Sequence, residues 1–335
     1  MQSDRLAVIL VALAACAGGR ARDPGPAPVA AALAASSRMR LAADWGAAAR
    51  RVQGALASSR LTREETVRLL VEKASIEREV GWFRRRAATA DSLRTVARAR
   101  ALVDDRMSPG TRAAVIEADG WLIYWRGFEE KESFDRALPL FEAARRLREA
   151  AGDRAGLAAS WFEIGLVHQQ TGRLDKSRTA LARGQAIAVS DRLLVELAYL
   201  ERHMGANAEA KGDLAAALTY YGRSLKLREQ SGHRWGEVFA AVTFADLLAR
   251  QGQPARAGAI LADAAALAVR LDLPVGEASA AESQAGLAHA ASRAPEACGY
   301  LERAARAWTR YGDPAALAAV RARAAEWSCP VPAPG

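Results

Sequence analysis

Apolar, small and charged positions along this chain return in register every forty residues. Placing Gly165 over Gly205 also places Gly172 over Gly212, and a further step brings Ala245 and Gly252. Small residues recur at Ala137, Ser177, Ala217, Ala257 and Ala297, with Phe141, Leu181, Tyr221, Leu261 and Leu301 four places later. Three places further on, small residues return at Ala144, Gly184, Ser224, Ala264 and Ala304. Offsets of three and four trace one face of an α-helix. Self-similarity at this period signals a stacked array, in which small residues let two antiparallel helices approach and the large residue fills the adjoining gap. Gly172, Gly212 and Gly252 fall where a first helix ends and φ can turn positive.

The same pattern divides the rest of the chain. A long helix is expected from Thr111 to about Glu130, after the Pro109-Gly110 break. Residues 38–107 read as degenerate units, with a helix near 41–57 and a capping box, Thr62-x2-Glu65, opening the next. Helices over 295–310 and 314–327 flank Gly312-Asp313-Pro314, and the second should cap the array. The expected segments are 1–16, 17–37, 38–110, 111–311, 312–328 and a tail at 329–335. Alanine, leucine and arginine dominate while β-branched residues are sparse, which favours an all-α chain. A length of 335 residues accommodates two domains or one extended array.

These columns resemble the tetratricopeptide repeat (TPR). Trp161-x2-Ile164-Gly165-x2-His168 matches the first half of its signature, with His168 in the aromatic slot, and Ala217-x3-Tyr221 matches the second. Over residues 111–311 the resemblance implies a right-handed superhelical solenoid of antiparallel helix pairs. The step of forty and the missing late proline liken it to the long-repeat arrays of kinesin light chains and those preceding CHAT-type cysteine peptidases. In this family the first helices line a concave face that binds a protein or extended peptide. The family's ligand positions fall on Leu122, Arg126, Phe162, Leu166, Tyr199, Arg202, Phe239, Val242, Asp246 and Glu282. Phe162, Tyr199, Arg202 and Phe239 should cluster across neighbouring units as the peptide-binding residues, aromatics beside arginine being the composition of binding hot spots. The alternative is that longer helices bury these positions against the next repeat.

At the amino terminus, Arg5 precedes an apolar run from Leu6 to Ala15, the length of a signal h-region and too short to span a bilayer. The run ends Leu13-Ala14-Ala15-Cys16, which resembles the lipobox of bacterial lipoproteins. That resemblance implies a signal peptide over 1–16, lipidation of Cys16 and an anchor in the cell envelope. Ala17, rather than Asp, points by the same resemblance to the outer membrane. Pro24, Pro26 and Pro28 then mark residues 17–37 as a flexible tether, with no helical period until about Arg38. An ordinary cleaved export signal is the alternative.

Charge and chemistry alter this picture little. The formal charge is +9, but acidic residues are interspersed and no clean basic stripe forms, which argues against a nucleic-acid partner. Arg84-Arg85-Arg86, with Arg94, Arg98 and Arg100 following and Trp82 and Phe83 adjacent, reads as a solvated helix face, with an anionic contact less favoured. G-x-S-x-G, Walker A, G-x-G-x-x-G and H-E-x-x-H motifs are absent, and the histidines at 168, 203, 233 and 289 lack ligand spacing. No cofactor or metal is therefore expected. Trp121, Tyr124 and Trp125 read as packing residues. Once Cys16 is lipidated, Cys298 and Cys329 are the remaining thiols, placed near the same open end of the hairpin about Gly312, so an oxidising envelope should join them. The sequence thus predicts a non-enzymatic, lipid-anchored scaffold. The second reading is a remnant or regulatory subunit of a CHAT-type peptidase system.

Overall fold

The computed structural model describes residues 27–86 and 89–330. Among them the chain forms fifteen α-helices and no strand. The N-terminal unit holds α1 (Ala27–Leu41), α2 (Trp45–Leu56), α3 (Arg63–Phe83) and α4 (Thr89–Leu102). Pairs follow: α5 (Pro109–Glu129) with α6 (Leu138–Ala151), α7 (Arg154–Gln170) with α8 (Leu174–Ser190), and α9 (Leu194–Ala210) with α10 (Leu214–Ser231). The remainder are α11 (Arg234–Arg250), α12 (Pro254–Arg270), α13 (Pro274–Ala290), α14 (Ala294–Tyr311) and the terminal α15 (Pro314–Glu326). Consecutive helices pack antiparallel, giving an all-α solenoid of TPR type. No helix of the described residues is long and apolar enough to cross a membrane.

Local chemistry sets the helix ends. Asp153, Asp213 and Asp313 accept from Gly156 N, Ala216 N and Ala315 N at 2.9, 3.0 and 3.0 Å, satisfying donors that the first turn leaves open. The capping box at Thr62 is formed, with Glu65 N donating to Thr62 Oγ1 at 3.1 Å and Thr62 N to Glu65 Oε2 at 2.9 Å. Gly172 and Gly212 close α7 and α9 at φ of 73° and 81°.

Packing within each pair is an interlock of small on large. A Cβ at Gly165 would stand 2.7 Å from Leu181 Cδ2, and one at Gly205 2.7 Å from Tyr221 Cδ1. Gly120 meets Phe141 in the same way, at 2.7 Å. Phe141, Leu181, Leu261 and Leu301 are fully buried in consequence.

The N-terminal unit departs from the sequence reading. Residues 27–37, assigned to the tether, belong to α1. Pro28 stands in its first turn, where a missing N–H costs no hydrogen bond. Val29, Ala32 and Ser36 are buried, and Ser36 Oγ donates to Glu72 Oε1 on α3 at 2.7 Å. Ala-rich faces with few large residues gave this helix no visible period. The helix placed near 41–57 is α2 alone, set off from α1 by Ala43 at a φ of 64°.

Residues of α2 and α3 share one apolar cluster with residues far along the chain: Trp45, Val52, Leu69 and Ile76 pack with Trp235, Val238, Leu267 and Leu273. Phe83 wedges in, its ring centroid 4.5 Å from Trp235 and 5.0 Å from Phe239. Arg84 Nε and Nη2 donate to the carbonyls of Asp272 and Leu271, both at 3.0 Å, and Arg86 pairs with Asp313 at 3.2 Å. These two arginines, read as part of a solvated face, clasp the N-terminal unit to the last pairs. Cys298 and Cys329 are bonded, with Cα atoms 5.2 Å apart, joining α14 to the segment after α15.

Candidate functional site

Helices α3, α5, α7, α9 and α11 turn one flank inward around a cavity of about 620 Å³. That lies within the roughly 300–1,000 Å³ of small-ligand pockets. Phe162 and Leu166 come from α7, Tyr199 and Arg202 from α9, and Phe239 from α11. The structure thus gathers all four of the expected peptide-binding residues on one wall. Phe162 lies 5.3 Å from Tyr199, centroid to centroid, so part of each ring also packs between units. The remaining concave positions serve elsewhere. Leu122 packs beside Ala74, Val96 and Ala118, and Val242 is buried in another cluster. Arg126 pairs with Glu130 and Glu132, and Glu282 accepts from Trp308 and Arg323. Asp246 is not on the cavity wall; burial pushes its carboxyl up.

The rest of the lining comes from residues that the sequence reading did not assign to the site. Trp121, Tyr124 and Trp125 line the cavity, which corrects their reading as packing residues alone. From the N-terminal unit come Arg40, Arg78, Glu79, Trp82 and Phe83. Trp82 stacks on Trp125 at 4.3 Å, and the Arg78 guanidinium lies 5.1 Å from the Trp82 ring and 5.3 Å from Trp121. Aromatic residues beside arginine at 82–86 were the visible signal, but nothing in their spacing showed that they meet α11.

The polar groups sort into satisfied and unsatisfied sets. Arg40 is held by Glu72 at 2.9 Å and by both oxygens of Glu79, and Trp45 Nε1 donates to Glu79 Oε2 at 2.7 Å. Burial opposes the Arg40 charge, yet Glu79 and Glu72 more than offset it and raise its pKa. Arg148 pairs with Glu117. Glu163 accepts from Trp121 Nε1 at 2.8 Å, and burial, with Glu117 nearby, pushes its carboxyl well above the usual range.

Two histidines beside the cavity are held neutral. His203 Nδ1 donates to Gln169 Oε1 at 2.6 Å while Nε2 accepts from Arg202 at 3.4 Å. His233 Nδ1 accepts from Arg228 at 3.1 Å, and Nε2 lies 3.4 Å from the Tyr199 hydroxyl. Burial pushes both rings well below the ordinary range, helped by Arg202 and Arg228 at His203 and by Arg228 and Arg40 at His233. Arg228 stacks 4.5 Å from the Tyr199 ring, and burial draws its pKa down to about 10.

Several buried polar atoms on the wall have no hydrogen-bond partner in the protein. Four are donors, Arg78 Nε and the indole nitrogens of Trp82, Trp125 and Trp235. Unmet donors gathered in one cavity are a place for acceptors from outside.

Solved structures of similar fold include a Rap protein complexed with competence and sporulation factor, 13% identical with a TM-score of 0.63. That alignment covers 90% of this chain and 87% of the other. Cut9, from the Cut9–Hcn1 hetero-tetramer of APC/C, is 13% identical with a TM-score of 0.59, over 88% of this chain and 48% of the other. Yeast Tom70 is 15% identical with a TM-score of 0.50, over 85% and 59%. No protein-family model matches the sequence, and no curated protein matches it. The likeness is one of fold, a TPR-type helical solenoid.

Proposed function

We propose that this chain is a non-enzymatic adaptor of the bacterial envelope, anchored through lipid on Cys16, that holds a segment of a partner protein in the cavity walled by Phe162, Tyr199, Arg202 and Phe239. Cys16 and residues 17–26 lie outside the described residues, so the anchor rests on the lipobox resemblance alone. The convergence of these four side chains on one cavity carries the binding claim. Related folds whose names record an association, Rap with its factor and Cut9 with Hcn1, are in keeping with it. We read the forty-residue step of helix starts at 154, 194, 234 and 274 as a long-repeat TPR variant.

Binding is favoured over reaction because the histidines at the cavity are neutral and already engaged, and its ionised carboxylates are paired. The N-terminal unit lies across the inner flank, so the partner contributes a short segment or a chain end rather than a strand running along every unit. Capture of the partner from membranes tests this. Tyr199→Ala and Arg202→Ala should each weaken capture by about 1–2 kcal/mol, with helicity unchanged. Normal capture by a folded double variant would place the partner on another face.

A further inference from the structure

Charge at the cavity wall is unbalanced. Arg78, Arg202 and Arg228 reach it with no carboxylate within ion-pair distance among the described residues. The acidic groups are paired elsewhere, Glu79 with Arg40 and Trp45 and Glu117 with Arg148, and favour the Arg78 charge only from beyond ion-pair distance. Glu163 and Glu196 are held toward their neutral forms, in both cases chiefly by burial. The cations also oppose one another, Arg202 acting against the charge of Arg228 and Arg40 against that of Arg78. Arg228 is buried and Arg78 and Arg202 are half-buried; cations so placed without an ion pair are costly to a fold, and an anion from elsewhere would offset that cost.

The remaining features narrow the anion's chemistry. Arg78 Nε and the three indole N–H groups call for carbonyl or carboxylate oxygens. Between them stand flat apolar faces, Trp82 on Trp125 and the rings of Phe162 and Phe239. An occupant must therefore bring carboxylates, further acceptors and an apolar side chain within about 620 Å³.

We infer, building on the partner-binding reading above, that the cavity takes a short acidic peptide segment, its carboxylates paired with Arg202, Arg228 and Arg78 and an aromatic or apolar side chain set among the rings. A guanidinium and a carboxylate form the strong, charge-assisted pair that this arrangement lacks. Peptide carbonyls supply the acceptors that the indoles lack.

The test uses the purified protein and two libraries of acetylated, amidated pentapeptides. Both have an aromatic residue at the centre, flanked by Asp and Glu in one and by the isosteric Asn and Gln in the other. After equilibrium dialysis, mass spectrometry should find acidic members retained at least tenfold above their neutral counterparts. Arg202→Met and Arg78→Met should each cut that retention tenfold or more, while Arg202→Lys keeps part of it. Their unliganded thermal midpoints should hold or rise, because each removes a half-buried charge that has no ion pair. Equal retention of the neutral library overturns the charge assignment and leaves the cavity as the partner site. Retention of neither library overturns both readings. Displacement of the peptides by equimolar glutarate overturns the peptide in favour of a small acid. A fall in midpoint in both methionine variants assigns the arginines to the fold and overturns the inference.

Discussion

The Tyr311 hydroxyl donates to the Gly81 carbonyl oxygen at 2.9 Å, joining the end of α14 to the end of α3 across 230 positions of sequence. Repeat arrays ordinarily couple only neighbouring units. Here the first unit is also bound to the last ones, through Tyr311, the Arg84 and Arg86 clasps and the Phe83 wedge. Phe83→Ala should cost about 3 kcal/mol, the low end of the range for losing a packed phenylalanine, because the ring is half-buried. Amide exchange should accelerate in α1–α3 and in α11 and α13 together. Acceleration confined to α3 would mean that the ends are not coupled.

Acid should weaken the fold from about pH 6.5 downward. His203 and His233 have depressed pKa values in the folded chain, from burial first and then the arginines, while the unfolded chain takes up protons near 6.5. The stability they confer is present above that value and is lost as pH falls, by about 1.4 kcal/mol per pH unit for each ring. Glu163 runs oppositely: its raised pKa confers stability below about 4.3, lost as pH rises. Urea midpoints should therefore drop between pH 7.5 and 5.5, less so in His203→Gln. Glu163→Gln should raise the midpoint at pH 7.5. A pH-independent wild type would contradict the burial of both histidines.

Reduction should loosen the carboxy-terminal end. The Cys298–Cys329 bond spans a sequence separation of 31, for which the chain-entropy model gives about 3–4 kcal/mol. Cys329→Ser should lower the thermal midpoint and speed exchange in α14 and α15. Two titratable thiols in the protein purified without reductant would show that the bond is not made.

The lipoprotein reading makes its own demand on Cys16. Cys16→Ser should abolish incorporation of labelled fatty acid and leave the precursor unprocessed at that position. Labelling that persists in the variant would end the lipoprotein reading.

What the sequence disclosed follows from what repeats. Small residues at Gly165 and Gly205 and large ones at Leu181 and Tyr221 are forced by close helix crossing, so the same contact reappears in each unit and becomes visible by comparison within the chain. Phe162, Tyr199, Arg202 and Phe239 inherited their placement from that register. The rest of the lining had no such guide. Phe83 on Trp235, Arg84 on Asp272 and Tyr311 on Gly81 are each made once, between distant segments, and leave no periodic trace. Arg228, on a second helix, reaches the cavity because its guanidinium passes over Tyr199, a path that helix spacing alone does not reveal. Helix α1 was hidden by an alanine-rich face and by prolines just before it and in its first turn.

Site-specific photocrosslinking in the native membrane tests most directly whether a partner enters the cavity. A photoreactive phenylalanine analogue in place of Phe239, on the cavity wall, should yield an adduct whose crosslinked peptide maps to one short segment of a partner. The same analogue in place of Val269, exposed on α12 and away from that wall, should yield none. An adduct from position 269 with none from position 239, in a chain that keeps its helicity, would contradict the account.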